Sequence, residues 1–249
     1  MDEQDIKETG YLMTVFADKL PDDNPFIIRV SEDREMFIIS PGDNAIGTEL
    51  DKISKFKDIY STVLDLKNKI GYSLKKAIEY AYSDEVRDNY NMLHSSGDNE
   101  WLAYYYIENA MFRVETMWDI LAQIYNIKYS LGEPIHKVYH SHIFSNQEQY
   151  CNKYWHGNPP QDIQKIIDYI NEDDDIEGEK WHGNYSFVNT LRNNMTHKFS
   201  ISQSNMSSFA FELKHHPHFI LKRLCESFAS LQDFLHDAFD SILEDIENE

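Results

Sequence analysis

Seven apolar residues recur at alternating three- and four-residue steps: Tyr104, Ile107, Met111, Val114, Trp118, Leu121 and Tyr125. Strand side chains alternate every two residues and cannot place that set on one side, whereas an α-helix lines it along one seam. The pattern predicts a helix over residues 99–129, about 45 Å long at ~1.5 Å per residue. A helix of that length with one apolar seam belongs in an antiparallel bundle.

Other stretches carry the same period. Thr48 with Asp51 three positions on has the form of a helix start. Ile53, Phe56, Tyr60, Val63, Ile70, Leu74, Ala77 and Ala81 follow, as one helix of about 35 residues or two broken near Gly71. Asn184 is placed to cap a helix running to 197 or 199, with Tyr185, Val188, Leu191, Met195 and Phe199 as its stripe. Pro217 opens a last helix lined by Ile220, Leu224, Phe228, Leu231, Leu235, Ala238 and Ile242. Phe219, Phe234 and Phe239 fall off that seam, so more than one face is expected to be covered. Between 130 and 183 the pattern weakens to short helices around 135–144, 147–154 and 162–170, with Gly157-Asn158-Pro159-Pro160 between the last two. The acidic residues 171–180 read as a solvated loop, and 200–208 as a polar loop. Seven Pro and nine Gly are few for 249 residues and favour long helices. The expected fold is all-α: an antiparallel bundle of four to five main helices over 48–249.

Residues 1–47 read as a separate N-terminal extension. Phe26-Ile27-Ile28-Arg29-Val30 and Met36-Phe37-Ile38-Ile39 bracket a polar connection, which predicts a β-hairpin, and Pro41-Gly42-Asp43-Asn44 marks a turn. A lone hairpin is marginal, so it is expected to pack on the helical body.

Charge and cysteine content exclude several classes. Cys151 and Cys225 form neither a disulfide framework nor a metal-type spacing. No apolar run approaches the ~18 residues of a membrane span, and Met1-Asp2-Glu3-Gln4-Asp5 is not signal-like, so the expectation is a cytoplasmic protein with no membrane partner. A net charge of −20 argues against a protein that coats nucleic acid generally. The charge is uneven, however. Residues 180–223 hold Lys180, Arg192, Lys198, Lys214, Lys222 and Arg223 against one acid, Glu212. This stretch is +5 and leaves −25 for the rest.

Within it lies Arg192-Asn193-Asn194-Met195-Thr196-His197. An arginine is a fixed cation, and an imidazole moves protons near neutral pH, which together suffice to cleave RNA without a metal. On an ideal helix Arg192 lies at the edge of the apolar face, and His197 diverges from it by about 140°. Asn193 and His197 are i, i+4 neighbours, so the amide is placed to orient the imidazole. The two do not face each other directly: either the arginine curls over the helix edge towards the same groove, or a second copy across a two-fold axis brings one subunit's arginine to the other's histidine.

This string resembles the signature of HEPN domains: an arginine, often followed directly by a polar residue, then a histidine after four to six intervening residues. Asn193 takes the polar position. The segments flanking it, from Tyr185 to Leu191 and from Lys198 to Ser200, and Tyr104 to Arg113 on the long helix, are similar to an uncharacterised bacterial branch of that superfamily. The resemblance implies an all-α bundle, a homodimer with paired motifs, and a metal-independent endoribonuclease of stress or defence without cofactor. In it the ribose 2′-hydroxyl attacks the adjacent phosphorus, leaving a 2′,3′-cyclic phosphate. It assigns Arg192 to charge stabilisation, His197 to proton transfer and Asn193 to orientation, with Thr196 and Lys198 as secondary phosphate contacts. An antitoxin or operon partner is implied as well. Where a toxin subgroup carries a nucleotidylated tyrosine, two positions after the histidine, this chain has Phe199, so that control is not expected. The alternative is a non-catalytic HEPN module for nucleotide binding, dimerisation or scaffolding.

Other groupings say less. Glu115 and Asp119 are i, i+4 on the long helix, placed to hold Arg113 or to reach and position Arg192 from a neighbouring helix. His136 and His140 have helical zinc-ligand spacing, but no acid or cysteine completes a set, so no metal is expected. His215-His216-Pro217-His218 reads as a polar loop opening the last helix, with facing substrate within the basic stretch as the alternative. Tyr104-Tyr105-Tyr106 offers ring faces to bases, yet Tyr104 belongs to the seam and the other two read as packing residues.

Overall fold

The computed structural model describes residues 3–17, 19–27, 29–31, 34–35, 48–176, 179–197, 199–207 and 210–248. It is mostly helical. Nine α-helices are described: α1 (Glu3–Val15), α2 (Glu49–Ala81), α3 (Asp84–Asn89), α4 (Asp98–Lys128), α5 (His140–Ile143), α6 (Glu148–Trp155), α7 (Gln161–Ile170), α8 (Asn184–His197) and α9 (Pro217–Asn248). No described helix is long and apolar enough to cross a membrane.

Three long helices organise the core. All seven seam residues of α4 are buried, none more than 2 % exposed. Burying each large one stabilises the fold by about 1.5–3 kcal/mol. The second half of α4 also buries Met117, Ile120, Ala122 and Ile124, because α5 and α8 close over it. Tyr72 and Tyr80 of α2 meet Tyr106 near the start of α4, so α2 and α4 run in opposite directions. Tyr104 near the start of α4 donates to the carbonyl of His215 at 2.7 Å, and Lys128 at its end reaches Ser241 at 2.8 Å, so α9 runs alongside α4. The 33 residues of α2 pass through Gly71 without a break, and Thr48 Oγ1 accepts from Asp51 N at 3.4 Å as its cap.

The N-terminal region holds a helix, α1, that no sequence pattern foretold. Its residues alternate poorly, and it forms against α9, where the Tyr11 hydroxyl donates to Glu226 at 2.8 Å. Leu12, Phe16, Leu20 and Phe26 enter the same core as the long helices. The buried Lys67 ammonium ties this segment to α2 through the Leu20 carbonyl at 3.3 Å and Asp22 at 2.8 Å. Strands β1 (Arg29–Ser31) and β2 (Arg34–Glu35) pair antiparallel. Phe26, expected in the first strand, instead packs among Phe56, Tyr60 and Phe239. The expected second strand and its turn, 36–47, lie outside the described residues.

Both predicted polar loops contain strands. In the acidic stretch β3 (Asp173–Ile176) pairs with β4 (Glu179–His182), from Asp173 opposite His182 to Ile176 opposite Glu179. Beyond α8, β5 (Asn205–Ser207) pairs with β6 (Ala210–Glu212). Strands of three or four residues carry too little alternation to be read from sequence. Gly183 joins β4 to α8 with its N–H on the Glu172 carbonyl at 3.0 Å; a Cβ there would lie 2.4 Å from that oxygen. The start of α8 also departs from expectation. Gly183 supplies the carbonyl that Phe187 N–H reaches at 3.0 Å, while the Asn184 amide binds Arg223 at 2.9 Å and Glu226 at 3.0 Å. Asn184 therefore clamps α8 to α9 and does not cap.

Candidate functional site

The polar face of α8 carries Arg192, Asn193, Thr196 and His197 above the buried stripe of Tyr185, Val188 and Leu191. Arg192 is half-buried and donates Nη1–H to the Asn193 amide oxygen at 2.9 Å. Its Nε is fully buried and has no hydrogen-bond acceptor among the described residues. Asn193 donates in turn to Asn189 at 3.3 Å. The amide expected to orient the imidazole thus orients the guanidinium, one residue away. His197 is exposed in the last turn, and its imidazole makes no hydrogen bond among the described residues. The Thr196 hydroxyl donates to the Arg192 carbonyl at 3.0 Å, within its own helix. Lys198 lies outside the described residues.

Beneath Arg192 lies a polar cluster that joins α4, α5 and α8. His140 Nδ1 is 2.7 Å from Asp119 Oδ1, and the His140 backbone N–H donates to the same oxygen at 3.1 Å. Its Nε2 is 2.7 Å from the Tyr185 hydroxyl and 3.5 Å from Glu115 Oε1. Asp119, His140 and Tyr185 are thereby linked in one hydrogen-bonded chain through the two ring nitrogens. Burial holds the Tyr185 phenol protonated by raising its pKa. Burial also raises the Glu115 carboxyl, against the pull of His140 and Arg192. At Asp119 burial works in the same sense, but the hydrogen bonds from His140 and the nearby positive charge outweigh it and hold the pKa below the usual range. Of the expected supporting residues, Glu115 and Asp119 therefore face Arg192 electrostatically. Arg113 does not: its Nη1 bonds the Asn109 carbonyl at 2.6 Å and amide oxygen at 3.2 Å. Sequence reading missed the role of His140, which sits 21 residues from Asp119 and 45 from Tyr185. No local spacing announces such a contact.

Two further expectations change. His136 sits in a 3₁₀ turn (Ile135–Lys137) and His140 begins α5, so the i, i+4 relation is not that of one helix face. Among the described residues no group of three or more His, Cys, Asp or Glu is arranged to hold a metal. The linear +5 stretch is partly neutralised in space. Lys214 pairs with Glu100 at 2.6 Å with both side chains buried, and Arg223 pairs with Asp174. His216 is pushed down to about 4 by burial and by its neighbours His218 and Lys214. His218 stacks on Tyr82 at 3.8 Å with Nε2 2.7 Å from the Ala81 carbonyl, so it is a packing residue rather than a substrate contact.

The arrangement offers a restrained guanidinium next to carboxylates and, about one turn further on, an imidazole with no partner among the described residues. No family model matches the chain, and no curated protein or solved structure matches it either.

Proposed function

We propose that the chain is a HEPN-like, metal-independent endoribonuclease whose α8 supplies half of a site completed by a second copy. The observation that carries this reading is the contrast on α8. Arg192 is restrained by Asn193 and flanked by Glu115 and Asp119, while His197 is exposed and without a side-chain partner among the described residues. In the reaction, the 2′-hydroxyl oxygen bonds to phosphorus and the 5′-oxygen leaves. His197 of one chain would move a proton at one of these oxygens. Arg192 would neutralise the charge that builds on the phosphoryl oxygens. A cytoplasmic stress or defence role, with an antitoxin or operon partner, accompanies the resemblance on which this proposal also rests.

The test is incubation of purified wild type and His197→Ala with mixed RNA in the presence of chelator. The wild type should leave 2′,3′-cyclic phosphate ends, and the variant should be slower by about 10²–10⁴-fold. Equal cleavage by the two proteins, or none by the wild type, sinks the proposal. A second reading, a non-catalytic HEPN-like scaffold, draws on the neutralisation of Lys214 and Arg223, which leaves less positive surface for a phosphate backbone.

A further inference from the structure

We infer that a groove between α2 and α4, lined by Tyr72, Tyr105, Tyr106 and Arg113, binds single-stranded RNA by stacking its bases. The groove encloses about 490 Å³, within the ~300–1,000 Å³ of ligand sites. Its lining is polar apart from three rings, and Tyr80 already stacks on one face of Tyr106 at 5.8 Å, so Tyr72 and Tyr105 are the rings open to a ligand. Tyr72 is 59 % exposed and Tyr105 46 %, and both lean on Tyr106, at 6.4 and 5.3 Å between centroids. Aromatic rings of this size are usually buried, and leaving them in water costs the fold the stabilisation that packing would bring.

The polar groups say what the rings await. Among the described residues, the hydroxyls of Tyr72, Tyr105 and Tyr106 donate to no protein acceptor, and Arg113 forms no ion pair. Lys69, at the rim, is already matched by Asp65 at 2.6 Å. Among the described residues the groove therefore carries one positive charge without an ion-pair partner, in a chain of −20. A ligand that fits has flat faces for the rings, acceptors for the hydroxyls and a negative group for Arg113. A nucleotide unit supplies all three. A second copy of this face would bring two such positive charges into one interface with no added carboxylate from the groove beyond Asp65, which Lys69 already matches.

A strand fits better than a single nucleotide. Trp101, 53 % exposed, stacks on Tyr105 at 5.6 Å with ring planes 17° apart, one turn beyond the groove. Phe112 lies exposed in the other direction. From Trp101 to Phe112 the aromatic track runs about 16 Å at 1.5 Å per residue. Glu115 and Asp119, the carboxylates facing Arg192, continue along α4 beyond its end.

Binding can be measured apart from cleavage by using the full chain as His197→Ala with a fluorescent single-stranded oligoadenylate. Saturable binding is expected. Tyr72→Ala and Tyr105→Ala should each weaken it about tenfold or more, whereas Tyr105→Phe should keep most of it. Arg113→Gln should weaken it and flatten its salt dependence by about one phosphate contact. The two tyrosines are exposed, so circular dichroism should report an unchanged fold in their variants. Absence of saturable binding, or alanine variants that bind like the parent, overturns the inference. So does adenosine monophosphate competing as tightly as the oligomer, or Tyr105→Ala converting a dimer to monomer. That last result would assign the groove to a second copy.

Discussion

The outward face of α8 and the polar cluster beneath it are built from the same kinds of side chain and treated in opposite ways. Below, His140 has a partner on each ring nitrogen, and it joins three helices. Above, His197 has none among the described residues. A buried imidazole must be satisfied or it costs stability, whereas an exposed one is satisfied by water and can exchange that water for substrate. The difference separates a histidine that holds the fold from one available for chemistry.

The comparison breaks most sharply if the two histidines exchange behaviour. His197→Ala should remove RNA cleavage by about 10²–10⁴-fold, equivalent to roughly 3–5 kcal/mol, and move the unfolding free energy by less than about 0.5 kcal/mol. A variant that unfolds early in urea would place His197 among the structural groups. Lys214→Ala should cost about 3–5 kcal/mol in the same urea titration, since it strands the buried Glu100 carboxylate. His140→Ala should cost about 2–4 kcal/mol by leaving Asp119 and Tyr185 unpaired, and any activity it loses should track the fraction unfolded. A catalytic loss in fully folded His140→Ala would show that the cluster takes part in the reaction.

Proton linkage sharpens the same contrast. His216 is half-buried with its pKa lowered from 6.5 to about 4, so between these values the unfolded chain binds a proton that the folded chain refuses. Stability should therefore fall as pH drops from 6.5 towards 4 and level off below, and His218 acts in the same sense. Thermal melts of His216→Phe should show a shallower loss over that window; an unchanged slope would mean His216 protonates freely in the fold. The smallest effect belongs to Asn193→Ala. It frees the Arg192 guanidinium from one exposed hydrogen bond and should cost at most about 1 kcal/mol of stability. Its cleavage rate should drop further than its stability, and a wild-type rate would remove Asn193 from the positioning of the arginine.

Legibility varied with the length over which a pattern repeats. The seam of α4 and the stripes of α2 and α9 each span many turns, so chance cannot easily imitate them. α1, β3–β4 and β5–β6 were not read, because each is stabilised by what it packs or pairs with rather than by its own period. Asn184 has the composition of a cap yet serves as a clamp, since Arg223 and Glu226 of α9 arrive beside it. Arg113 shares α4 with Glu115 and Asp119 but turns to Asn109 instead. Tyr105 was read as packing, and its exposure is apparent only once α2 and α4 are placed together.

Sequence alone determined the long helices and the phase of the motif on α8, because helical periodicity is a local property of the chain. That phase separates Arg192 from His197 by about 140°. Tertiary structure decided which charges remain. Lys214 and Arg223 count as positive in a linear window, and in space they are cancelled by Glu100 and Asp174, far away in sequence. It also decided which histidine is bound, because hydrogen bonds and Coulomb forces act over ångströms, whatever the number of residues between partners.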